Sequence, residues 1–292
     1  MPRPIVTRSL SSAAIAALLA ALPFAAPRIA ATAAAAEAAA PSICRGSDSK
    51  LNRFAVRVAM LDRLAWRQVA DATAGSVNVE DNLDLFEKLG LMEGHLLIGK
   101  ALLDAHMQDA ALPHFGHPVR ELYDYLKPIF AERKYPEFEA DLKDLERRAK
   151  DEPNAPATTT AFDAMLVKID GLRNTIPQSL MTSQDFLTTG IALMVDAAAG
   201  DLGESLDKGK IVNTLEYHDA MGFARYADGA VKKYGAVLGG RSPAIAKETA
   251  FTLTAFPALE PPARPTRSVA NVRSAADRVK ALAAQQKSSH PG

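Results

Sequence analysis

The sequence predicts an all-α fold, one or more bundles of short-loop antiparallel helices following an N-terminal signal peptide. Two observations carry this. Apolar residues recur at helical spacing along most of the chain, and no segment shows clean apolar/polar alternation or an Asn-Gly or Asp-Gly hairpin between β-branched runs. Proline-rich stretches punctuate the periodic segments.

The elements follow in order. Arg3 and Arg8 precede the short apolar run Ala13–Ala26, and small residues follow around Ala31-Thr32-Ala33. That is the layout of a cleaved export signal over residues 1–36, and the run is too short to cross a bilayer as a helix. Cys44 follows Pro-Ser-Ile, a poor lipid-attachment box. Leu51, Phe54, Val58, Leu61 and Ala65 form a helical stripe ending near Gly75. Asp81 or Asn82 is expected to cap a second helix reaching about Met107. A third should start at Pro118, because proline is favoured in a first turn. Phe138, Leu142 and Leu145 mark a fourth. Asp151–Thr160 (DEPNAPATTT) reads as a linker between an N-terminal helical half, 44–150, and a C-terminal half, 161–286. The second half carries periodic segments near 161–175, 184–206, 214–235, 243–256 and 268–286, and a polar tail occupies 287–292.

Composition removes several function classes. The 292 residues hold 48% apolar and 23% charged side chains, which is globular rather than disordered composition. Lys plus Arg and Asp plus Glu both number 34, so the cationic surplus that nucleic acid requires is missing. Loss of the signal peptide would remove Arg3, Arg8 and Arg28 and no acid, leaving a net charge of −3. Aromatics are 6%, with one Trp, which argues against base-stacking platforms. One Cys excludes an intramolecular disulfide and an all-cysteine metal cage. A disulfide-free exported chain suggests the periplasm, and no later segment offers a membrane span in the mature chain. GxSxG, Walker A, GxGxxG, HExxH and CxxCH signatures are all missing from the sequence.

The residues that point to chemistry are histidines. Four of the six lie between His95 and His117. His95 and His106 are about 20° apart around a helix but about 16 Å apart along it, so one ion cannot bind both. Met92, one turn before His95, can neighbour it as a soft ligand. Glu93 points to the opposite side. His114 and His117 stand at i and i+3 across an expected turn, and Glu121 follows His117 by four. Imidazole with carboxylate suits iron, zinc or manganese. Against this, His117, Glu121 and Asp124 lie opposite the apolar face of Val119, Leu122, Leu126 and Phe130, as a solvated polar face would. In NTLEYHDAMGF, Asn213 with Glu216 has capping-box spacing. Glu216 sits at the edge of an apolar face as a half-buried carboxylate, and His218 is expected at the surface.

The stretch Ile191–Phe223, ending in LDKGKIVNTLEYHDAMGF, resembles the soluble periplasmic region in front of bacterial iron permeases, where a helix leads through a DGKV-type turn into an EY-containing helix. The resemblance implies a helical envelope domain associated with iron or other metal traffic, with Glu216 and Tyr217 carried over. The permease's membrane helices have no counterpart, so transport itself is not implied. GHLLIGKALL and PHFGHPVRELY look like segments of exported proteobacterial helical proteins of unassigned function.

The expected function is non-catalytic. It is a periplasmic protein that binds a transition metal ion (iron, copper or zinc) or serves a metal-uptake system, with an envelope protein or metal transporter as partner. His114 and His117, with Glu121 or Glu216, form the stronger site, and His95 with Met92 the weaker. The alternative is a metal-free interaction module of the envelope whose histidines pack and cap. A third reading is an enzyme with a histidine–carboxylate acid–base pair. Export is checked by intact mass of periplasmic protein, expected to start between about Ala33 and Glu37. Full-length protein held in the cytosol would refute it.

Overall fold

The computed structural model describes residues 78–284. The signal peptide, Cys44, the helix expected over Leu51–Gly75 and the polar tail lie outside the described residues. Within them the protein is all-α apart from one two-residue ribbon.

Helix α1 (Val79–Asp104) is capped by Asn78, whose side chain accepts from the Glu80 and Asp81 amides. The cap therefore lies upstream of the expected Asp81 or Asn82. Leucines and Phe86 are buried around most of its circumference, as befits a central helix. It ends in a Schellman turn at His106 (φ 59°), whose exposed ring stands far from His95.

Helix α2 (Gln108–His117) does not stop at Pro118. It runs through a π-helical turn, Pro118–Tyr123, into α3 (Asp124–Glu132). Proline has no N–H and crowds the carbonyl four residues back, and the wider π turn accommodates both. His114 and His117 thus lie on one unbroken helix rather than across a turn, and His117 makes no capping hydrogen bond. The Tyr123 hydroxyl accepts from the Phe138 and Glu139 amides and so caps α4 (Glu139–Asp151) from a distance.

Helix α5 (Pro156–Arg173) begins inside the stretch expected as a linker, with Pro156 in its first turn. Only residues 152–155 separate it from α4, and the helices before and after this loop contribute to one hydrophobic core. The buried Arg173 guanidinium ties α5 to α1 through Glu93 (2.7 Å) and also pairs with Asp170. Glu93 therefore points away from His95's neighbours, as expected.

After a single turn, α6 (Gln178–Met181), comes α7 (Gln184–Glu204), capped by Ser183. Among the described residues α7 alone is long and apolar enough to cross a membrane, but most of it is buried within the protein. Leu206–Asp207 (β1) and Lys210–Ile211 (β2) form an antiparallel ribbon closed by Lys208 and Gly209, both at positive φ. Helix α8 (Thr214–Lys233) is capped by the Asn213 side chain, which accepts from the Leu215 and Glu216 amides, but the Asn213 N–H donates to the Ser205 carbonyl, so the expected capping box forms only by half. A short turn, α9 (Gly235–Leu238), precedes α10 (Ser242–Leu253), and a proline-rich strap leads to α11 (Val269–Ala284).

Helices α7, α8, α10 and α11 pack as a four-helix bundle. α1 lies against α7 and α8, and α2 lies against α1. The α1–α8 approach is unusually close. A Cβ on Gly222 would stand 2.3 Å from the Gly94 carbonyl oxygen, and one on Gly94 would stand 2.6 Å from a Phe223 ring carbon.

Gly222→Ala meets backbone that cannot swing aside, so α1 and α8 must separate. The expected cost is about 2–3 kcal/mol, or roughly 5–10 °C in Tm. Gly229→Ala on the same helix has open space around its new Cβ and should be neutral or slightly stabilising. Thermal melts followed by circular dichroism compare the two, and equal Tm values would remove the close-approach argument.

Candidate metal centre

The glycine contact brings the residues beside it together. Gly94 precedes His95 on α1, and Gly222 lies one turn after Asp219 on α8. With these backbones in contact, His95 Nδ1 reaches Asp219 Oδ1 at 2.6 Å. From α2, His114 Nδ1 reaches the same oxygen at 2.7 Å. His117, one turn further along α2, places Nδ1 3.2 Å from Oδ2, without the alignment of a hydrogen bond. Three imidazoles from two helices therefore aim the same ring nitrogen at one carboxylate from a third helix.

All four residues are buried: His114 0%, Asp219 2%, His95 3% and His117 7% exposed. One nitrogen from each ring and one carboxylate oxygen all lie within 4.8 Å of one another. The rings meet edge to face, His95 with His117 at 4.9 Å and His114 with His117 at 5.7 Å. Phe223 covers His95 from α8, ring centroids 4.9 Å apart.

The electrostatics follow from burial set against this convergence. Burial pushes the Asp219 carboxyl up, but the His95 charge and the imidazole hydrogen bonds overcome it and hold the group well below the usual carboxylate range. Burial lowers His114, and Asp219 does not fully offset it. For His117 the balance reverses. Burial lowers it, but Asp219 and, further out, Glu121 leave it raised. The His114 Nε2 atom is buried without a hydrogen-bond partner.

The structure unites three of the six residues the sequence put forward. His114, His117 and His95 converge on Asp219, so His95 joins the other two rather than standing apart with Met92. Met92 is a fully buried core side chain one turn before it. Glu121 is exposed, and its charge reaches His117. Glu216 is half-buried one turn before Asp219, and neither glutamate belongs to the converging set. Burial, followed by the charges of Asp219, Glu121 and Glu204, pushes Glu216 up to about 7. His117 is not part of a solvated face. His218 is not a surface residue: it is 1% exposed, its Nε2 is 2.8 Å from the Leu259 carbonyl oxygen, and its ring lies against His114. Burial lowers its pKa.

Asp219 is the residue that sequence reasoning missed. It heads the stripe Asp219, Phe223, Tyr226, Ala230, at i, i+4, i+7 and i+11 on α8. An acid leading an otherwise apolar helical stripe was the available signal.

Chemically the set fits a transition ion: three neutral imidazole nitrogens and one carboxylate oxygen. Bonds of about 2.0–2.1 Å to a four-coordinate ion put neighbouring ligand atoms roughly 3.3 Å apart. To receive such an ion the 2.6–2.7 Å contacts would have to open and the wider spacings, up to 4.8 Å, would have to close.

Residues 177–291 match the model of the iron permease-associated 4-helix bundle domain, which bears out the resemblance seen over 191–223. The match spans α7, α8, α10 and α11 and includes Asp219, but none of the three clustered histidines. No curated protein and no solved structure matches the chain.

Glu216 gives a pH test. Its folded value, about 7, lies above its ordinary one. The stability it permits is complete below about 4.5 and is lost as pH rises through about 7. Glu216→Gln should therefore stabilise the metal-free protein at pH 8, by about 1–2 kcal/mol after solvent screening is allowed for, and change little at pH 5. Urea unfolding at the two pH values measures this, and an equal effect at both would count against a desolvated carboxyl.

Proposed function

We propose that this is an exported, periplasmic helical protein that binds one transition-metal ion through His95, His114, His117 and Asp219. It serves a metal-uptake system as an accessory, without catalysing a reaction. The observation that carries the reading is the convergence of three Nδ1 atoms on one buried carboxylate. The match of its C-terminal bundle to a domain associated with iron permeases supports the metal traffic and a transporter or envelope partner. The buried position of all four ligands favours holding an ion over turning over a substrate. Iron and copper are the favoured ions.

A second reading has one observation in its favour. Two imidazoles already satisfy Asp219 Oδ1 by hydrogen bonding, and a buried carboxylate needs such donors whether or not an ion binds. On that reading the protein is a metal-free interaction module.

Elemental analysis of the purified mature protein should find about one transition ion per chain. Calorimetry on chelator-stripped protein should show His114→Ala/His117→Ala binding more than about a hundredfold more weakly, since even outer partners of metal ligands are worth ~10–100-fold. Affinity should fall as pH drops through about 6.5, because imidazole binds only when neutral. Wild type that binds no metal, or a double variant that binds as wild type does, would leave the interaction-module reading.

A further inference from the structure

The charge and hardness of the donor set bear on which ion the centre accepts. Four ligand atoms converge, three of them uncharged imidazole nitrogens. Asp219 supplies the single anionic group. The other carboxylates near the cluster, on Glu216 and Glu121, stand outside the converging set. A divalent ion bound here leaves a net charge of +1 in a buried pocket, and a trivalent ion leaves +2. The penalty for holding charge away from water rises with the square of that charge, so the trivalent ion is disfavoured about fourfold more in this component. Ligand softness points the same way. Imidazole suits borderline divalent ions, and hard ions take oxygen, of which the set offers one position in four.

The helical scaffold limits remedies. Glu216 lies one turn before Asp219 on the same side of α8, half-buried and outside the converging set. His95, His114 and His117 are fixed on helices on either side of the carboxylate.

We propose that this centre takes a borderline divalent ion, of the class Zn(II), Cu(II) or Fe(II), and discriminates against ferric iron. The proposal rests on the metal-binding reading above and goes beyond it in oxidation state. If iron is the cargo, it is carried as ferrous ion.

The test uses the full mature chain stripped by chelator. Zn(II), Cu(II) and, under anaerobic conditions, Fe(II) are titrated by calorimetry, and Fe(III) is supplied as its nitrilotriacetate complex with the affinity corrected for the competitor. Each divalent ion should bind at one per chain and raise Tm, since binding to the native state alone stabilises it. Ferric iron should bind at least about a hundredfold more weakly than Zn(II), a difference of roughly 2.7 kcal/mol. Co(II) should give the intense visible absorption of a four-coordinate site. His117→Asp adds a second carboxylate at a position already 3.2 Å from Asp219, and it should narrow the gap between divalent and ferric ions by at least tenfold.

Ferric iron binding as tightly as Zn(II), or His117→Asp leaving the gap unchanged, would overturn the divalent assignment while metal binding itself stood. If no ion binds wild type, both readings fall together.

Discussion

Burying the Asp219 carboxylate is the constraint that the rest of the site answers. An ionised carboxylate cut off from water costs several kcal/mol unless donors surround it. Here the donors do not come from α8 itself, because the residues one turn either side of Asp219 (Leu215, Glu216, Gly222 and Phe223) offer no cationic or imidazole donor. They arrive from α1 and α2, and each arrival has its own requirement. His95 reaches the carboxylate because Gly94 and Gly222 let two helix backbones touch. His114 and His117 reach it together because α2 stays helical up to a proline and beyond it, holding them one turn apart on the same face. A conventional helix start at Pro118 would have broken that spacing.

The division of labour along the chain is informative. The four-helix bundle matched to the iron permease-associated domain supplies one member of the converging set, Asp219. The helices that precede it supply three. The matched bundle thus provides a carboxylate on a packed apolar stripe, and the added helices turn it into a convergent set. The bundle shows where the chain's resemblance lies, and the helices outside it decide most of the site's chemistry. The softness of the set, three nitrogens to one oxygen, comes from this arrangement.

The helices were legible because each buried face repeats at helical spacing, and α7 and α8 begin at the expected positions. Besides the cap of α1, set a few residues upstream, two starts differ from the sequence reading, Pro118 and Asp151–Thr160, and both involve proline. Proline marks a helix's first turn or its end, and one sequence does not say which, so an unbroken rod and a four-residue loop each looked like something else. Three histidines of the site were legible from their concentration between positions 95 and 117. Asp219 was not, because its partners lie more than a hundred residues away. On its own helix it looked like the neighbour of Glu216, which had the capping signature. His218 was misread for a related reason. Its burial comes from the strap at Leu259 and from the His114 ring, contacts that helical periodicity cannot reveal.

The donors that the buried carboxylate requires are supplied by the protein itself. Two imidazole hydrogens now occupy the space between the rings and the carboxylate. His117 holds its proton more strongly than an ordinary histidine, while His114 holds its own less strongly. An ion bound as proposed would take the place of the imidazole hydrogens that face the carboxylate. Three helices set the direction from which each ring approaches the carboxylate. A buried carboxylate that demanded imidazole donors for its own stability has, by that demand, drawn three ring nitrogens towards one point.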